Sequence, residues 1–143
     1  MAITQDLPAV AGTRRLTVIV LAAGSLVAIA ANTVIAFSAL AAGASATFSP
    51  LLPPVYGVFS VLGVVAAYFG WNIVRRRAKN PAATLRVLVP LLVVLSYVPD
   101  VILLVTGFIP GSSLTAVVAL ALMHLVVVGV AVPVAQRLSP VGR

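Results

Sequence analysis

The chain contains no cysteine. Disulfides, thiol nucleophiles and thiolate metal sites are therefore excluded. Charge is scarce too: 8% of the residues are charged, where a soluble domain carries roughly a quarter. Only two side chains are acidic, Asp6 and Asp100, and His124 is the sole histidine. A structural or catalytic metal takes three or four suitable ligands, and one His with one Asp falls short. Glycine-rich phosphate loops are absent. Ser96 and Asp100 share one helix face, but nothing marks Ser96 as a nucleophile. The expectation is no enzymatic activity, no cofactor and no metal.

Apolar residues fill the space that charge leaves. They make up 62% of 143 residues, and the mean hydropathy is +1.24. Water would not keep such a surface in solution, so lipid is the default solvent. At about 20 apolar residues per span, the chain has room for four spans with short loops.

Residues 1–15 read as a cytoplasmic tail ending in Arg14-Arg15. An uncharged run from Leu16 to about Leu40 predicts the first helix. Ala41 to Thr47 is small and polar, and Ser49-Pro50-Leu51-Leu52-Pro53-Pro54 leads into a second helix over 54–74, since proline is tolerated in a first turn. Asn80-Pro81 is a start signal, an acceptor followed by proline at the first helical position. The third span is expected over 85–108. Ile109-Pro110-Gly111-Ser112-Ser113 is a turn, and the fourth span follows over 114–132, its end loosened by Pro133. Residues 135–143 then form a second cytoplasmic tail. Arg14-Arg15 and Ala44-Ser45-Ala46 also outline a secretory signal. The run between them is too long, about 25 residues against roughly 7–15 for a signal core, and reads as a retained helix.

Net charge is +7. In a soluble protein that would point to nucleic acid, but the placement points elsewhere. Arg14 and Arg15 precede the first helix. Arg75, Arg76, Arg77, Lys79 and Arg86 separate the second from the third, and Arg137 and Arg143 follow the fourth. The other two loops hold no cation. The positive-inside rule then places both termini and the middle loop in the cytoplasm. The fold expected is an all-α, antiparallel four-helix bundle in the cytoplasmic membrane, with no role for nucleic acid. Arg75, Arg76, Arg77, Lys79 and Arg86 would also contact anionic headgroups, at about 1 kcal/mol per charge.

Small residues let helices approach closely in lipid. Gly24, Ala28, Asn32 and Ala36 form one stripe on the first helix, and Ser60, Gly63, Ala67 and Gly70 one on the second. They predict seams within the bundle, with a homodimer face on the first helix as the sharper alternative. Trp71 and Tyr56, near opposite ends of the second helix, read as interfacial anchors.

Asp100 is the one acid within the spans, and a charge at mid-membrane costs at least ~2.5–3.5 kcal/mol. It must face the bundle interior. At about 1.5 Å per residue it lies roughly 12 Å below the end of its helix, and His124 roughly 15 Å into the next from the same side. Asn32 falls near the same level. Pro99 frees the carbonyl of Leu95, and Ser96 and Tyr97 precede Asp100 by four and three residues, on its face. Asp100, His124, Asn32, Ser96, Tyr97 and Pro99 thus form the candidate polar cluster. Intramembrane Asp–His chains mark proton relays, and such a pair titrates as one coupled unit. The plainer alternative is a hydrogen-bonded pair that sets the register of two helices.

The segments Leu95-Ser96-Tyr97-Val98-Pro99-Asp100 and Ala121-Leu122-Met123-His124-Leu125-Val126-Val127 resemble a family of small bacterial four-helix membrane proteins of unknown function. The shared features are Ser-x-x-Pro-Asp in the third helix and Met-His in the fourth. The resemblance implies the fold and brings no activity with it.

Three functions are compatible with these residues. An accessory or scaffold protein acting through helix contacts, with a membrane-protein partner or a second copy, asks least of them. A proton- or cation-linked transporter or channel would use Asp100 and His124. A binder of lipid or a hydrophobic small molecule would use a pocket beside Pro99.

Overall fold

A computed structural model of the chain describes residues 7–142, with side chains described from Thr13 onward. Most of the expected amino-terminal tail's first half, Met1–Asp6, and the last cation, Arg143, lie outside the described residues. Four helices account for the rest: α1 Leu7–Ala41, α2 Pro53–Arg77, α3 Pro81–Thr106 and α4 Leu114–Leu138. One turn of 3-10 helix, Ser49–Leu51, precedes α2. No strand occurs among the described residues. Each helix is long and apolar enough to cross a membrane: 25 residues extend about 38 Å, beyond the roughly 30 Å of a hydrocarbon core.

Local chemistry sets the boundaries. At the start of α3 the Asn80 side chain accepts from the Ala83 N–H at 3.1 Å, with Pro81 behind it. At the start of α4 the Ser113 hydroxyl oxygen accepts from the Ala116 N–H at 3.2 Å. α3 ends two residues before the expected Phe108. Gly107 adopts the left-handed conformation (φ 61°) and donates its N–H to Leu103 O at 2.9 Å, closing the helix where a side chain would be strained.

Elsewhere the helices run past the expected span limits. α1 is already helical at Leu7, and α4 continues through Pro133 to Leu138. Span limits mark where lipid ends, whereas the backbone ladder continues as long as its own hydrogen bonds hold. Pro133 removes one such bond and leaves the remainder in place.

α1, α2 and α4 pack against one another, and α3 lies against α2 and α4 on the side away from α1. Only three of the 26 residues of α3 are buried, Leu85, Asp100 and Leu103. The stripe Gly24, Ala28, Asn32, Ala36 is buried along its length. A Cβ on Gly24 would stand 2.8 Å from Val134 Cγ2, and one on Gly63 2.6 Å from Val127 Cγ1. The α1 stripe is therefore occupied within the chain, and the homodimer face imagined there is not free. Large apolar side chains that would be a liability in water, such as Leu26, Val34, Phe59 and Val105, cover the outside.

The α2 stripe behaves differently along its length. Ser60 and Gly63 sit in the seam, but Ala67 and Gly70 are exposed, and a Cβ on Gly70 would meet nothing within 4 Å. Gly63→Leu should therefore cost about 1–3 kcal/mol by overpacking, while Gly70→Leu leaves unfolding close to wild type. Denaturant titration of both variants in mixed micelles checks the contrast.

At the charge-poor end the two loops lock together. Phe48, between α1 and α2, is fully buried among Ala36, Ala44, Leu103 and Ala116. A Cβ on Gly111, in the α3–α4 loop, would stand 2.9 Å from Ser45 Cβ.

Candidate functional site

Asp100 and His124 meet. α3 and α4 are antiparallel neighbours, and each carries its polar residue on the face it shows the other. His124 Nδ1 lies 3.3 Å from Asp100 Oδ2. It lies closer, 2.9 Å, to the Leu120 carbonyl oxygen one turn back on α4. A carbonyl oxygen only accepts, so Nδ1 carries the hydrogen and aims it at Leu120. The carboxylate is within ion-pair range of that nitrogen but not in line with its N–H. Asp100 Oδ2 is left fully buried without a hydrogen bond. The Asp100 side chain is 5% exposed and the His124 side chain 37%. One partner is enclosed and the other reaches the surface of the bundle.

Tyr97 completes the group. Its ring stands edge-on to the imidazole, with centroids 6.3 Å apart at 88°. Met123, beside His124 in the chain, is buried in the same region with Leu103 and Ala119.

Two members of the expected cluster are used elsewhere. The Ser96 hydroxyl donates to Val93 O at 2.7 Å, in its own helix, and is spent there. Asn32 donates to the Ser60 hydroxyl at 2.8 Å, across the α1–α2 seam. Its Oδ1 remains buried without a partner. Pro99 lies within α3 but faces outward, and it does not line the two cavities found at the basic end of the bundle.

Trp71 and Tyr56 overturn their reading as interfacial anchors. Each is only 6% exposed. Trp71 Nε1 donates to Ser139 O at 2.9 Å, and the Ser139 hydroxyl donates to Asn72 Oδ1 at 2.9 Å. This ties the end of α2 to the cap of α4. The Tyr56 hydroxyl pairs with that of Thr33 at 3.0 Å, tying α2 to α1. A buried ring with a polar tip needs such a partner, and a position near a helix end does not distinguish a ring facing lipid from one facing the bundle.

The described cations gather at the other end of the bundle from Asp100. Arg75, Arg76, Arg77, Lys79, Arg86 and Arg137 are all exposed there. Among the described residues the Asp100–His124 contact is the one ion pair, so none of these cations has an anionic side-chain partner. No group of three or more His, Cys, Asp or Glu converges among the described residues.

Four apolar, mutually packed helices of spanning length, with one ionisable pair enclosed between two of them, define a small multi-pass membrane protein. Comparison with known families gives it a place: the chain belongs to the family of unknown function DUF6069, whose model matches residues 11–140. No curated protein and no solved structure matches the chain.

Proposed function

We propose that the chain is a proton-linked protein of the cytoplasmic membrane, and that Asp100 and His124 exchange a proton within the bilayer. The observation that carries this reading is the buried, unbonded Oδ2 of Asp100, 3.3 Å from a half-exposed imidazole. A carboxyl kept only to fix helix register would be fully hydrogen bonded, because an unsatisfied group in hydrocarbon costs several kcal/mol. An atom held short of a partner, next to an imidazole that can take up or release a proton, is poised to gain and lose one itself.

No competing charge blurs that exchange. From α3 the ionisable neighbour is Tyr97. From α2 the tyrosine in this half of the bundle is Tyr56, already bonded to Thr33 of α1. Neither α1 between Leu16 and Ala41 nor the apolar length of α4 contributes another Asp, Lys, Arg or His.

The loosely held helix carries the acid and the tightly packed unit carries the histidine. Changing the charge of the pair biases how closely α3 sits on α4, which is the kind of two-state element that couples protonation to movement. The basic end lies in the cytoplasm by the positive-inside rule.

Proteoliposomes with an internal pH dye test the reading. Wild-type protein should dissipate an imposed pH gradient, and Asp100→Asn, with its helical circular dichroism intact, should not. Equal leakage from both proteins would sink the proton-linked reading and leave an accessory role through helix contacts.

A further inference from the structure

We propose that the groove between α3 and the α2–α4 pair, at the basic end, holds one acyl chain of an anionic phospholipid whose phosphate rests on Arg86. Two adjoining cavities form this groove. The deeper, of about 320 Å³, is lined by Gly70, Ala67, Leu88, Leu92 and Val128 and is almost wholly apolar. The shallower, of about 370 Å³, opens past Arg86 and Gln136. Both share Trp71, Leu85, Val89 and Val132, so they form one continuous channel from a cationic mouth to an apolar interior.

The dimensions fit a single chain in one leaflet. From Leu85 to Leu92 the groove follows α3 for about 10 Å, within the roughly 15 Å of half a hydrocarbon core. Its apolar wall is made by side chains that stop short of each other, since Ala66, Ala67 and Gly70 face leucines and valines of α3 without closing on them. A membrane offers acyl chains to fill such a gap, and filling it restores the dispersion contacts that the empty wall forgoes.

Charge selects the headgroup. Arg86 is exposed and has no anionic side-chain partner among the described residues. The single acid in the spans, Asp100, lies 14 residues further along α3, about 21 Å away along the axis. Guanidinium binds phosphate with a planar fork of donors, and basic pockets between helices favour anionic headgroups. Gln136 adds a neutral donor at the same mouth.

The chain supplies its own probe, because Trp71 is its one tryptophan and lines both cavities. The protein is reconstituted in phosphatidylcholine containing a small fraction of lipid with brominated chains, either phosphatidylglycerol or phosphatidylcholine, and quenching of Trp71 is recorded. Quenching by the brominated phosphatidylglycerol should reach its midpoint at about a fivefold lower mole fraction, the factor equivalent to one charge contact. Arg86→Gln should abolish that preference and Arg86→Lys retain most of it. Gly70→Leu, which fills the groove where a Cβ meets nothing, should remove the selective quenching while the variant stays folded. Equal quenching by the two lipids overturns the proposal, as does a preference that survives Arg86→Gln or Gly70→Leu.

Discussion

Removing His124 alone should destabilise the protein by about 3–5 kcal/mol, whereas removing Asp100 and His124 together should cost little or add about 1–4 kcal/mol. The reason lies in what each substitution leaves behind. His124→Leu leaves a carboxyl that is 4% exposed, with no cation within reach among the described residues. Asp100→Leu with His124→Leu removes both polar groups from a region already walled by Leu103, Met123 and Ala119. Unfolding of the wild type, the two single variants and the double variant in mixed micelles gives the coupling between the side chains directly. Strong coupling together with a stable double variant means that the fold does not depend on the pair. If the double variant is the least stable of the four, the pair is structural glue, and its retention needs no proton chemistry.

Phe48→Ala should cost about 3–5 kcal/mol, the usual effect of emptying a buried aromatic site. Phe48 is fully buried although it lies in a connection between two helices. It fills the space where α1, the 3-10 turn, α3 and α4 converge, against Ala36, Leu51, Leu103 and Ala116. Two of those neighbours are alanines, whose short side chains cannot reach into the space the ring leaves. The two loops at the charge-poor end meet beside it, through Gly111 and Ser45. Loss of the ring should therefore loosen that end as a whole, seen as faster amide exchange over both loops. A cost below about 1 kcal/mol would mean that the loops, and not the ring, hold this end together.

Much of this architecture is legible in the amino-acid order. Long uncharged runs, Asn80-Pro81 and Ser113 locate the helices because spanning length and capping are local properties. The depth of Asp100 and His124 also follows from residue count. Their contact does not, since it depends on how each helix is rotated, and a uniformly apolar helix carries little signal of which face is inside. The same gap explains Asn32: its level suits Asp100, but its face points to Ser60 on α2. It explains Trp71 as well, whose partner, Ser139, lies 68 residues away in a segment that reads as tail. The groove is a further case. Ala67 and Gly70 continue a stripe that closes at Ser60 and Gly63, but α3 presents leucine and valine to them, and the helices stand apart.

The central claim is that Asp100 and His124 exchange a proton as a unit inside the membrane. The carboxyl stretching band of Asp100, followed by infrared spectroscopy across pH in lipid, tests it most directly. The chain has only two side-chain carboxyls, Asp6 and Asp100, so an Asp100→Asn difference spectrum isolates the band. The band should change with pH and move when His124 is replaced by alanine. A band that stays constant across pH, or that ignores the loss of His124, would contradict the claim.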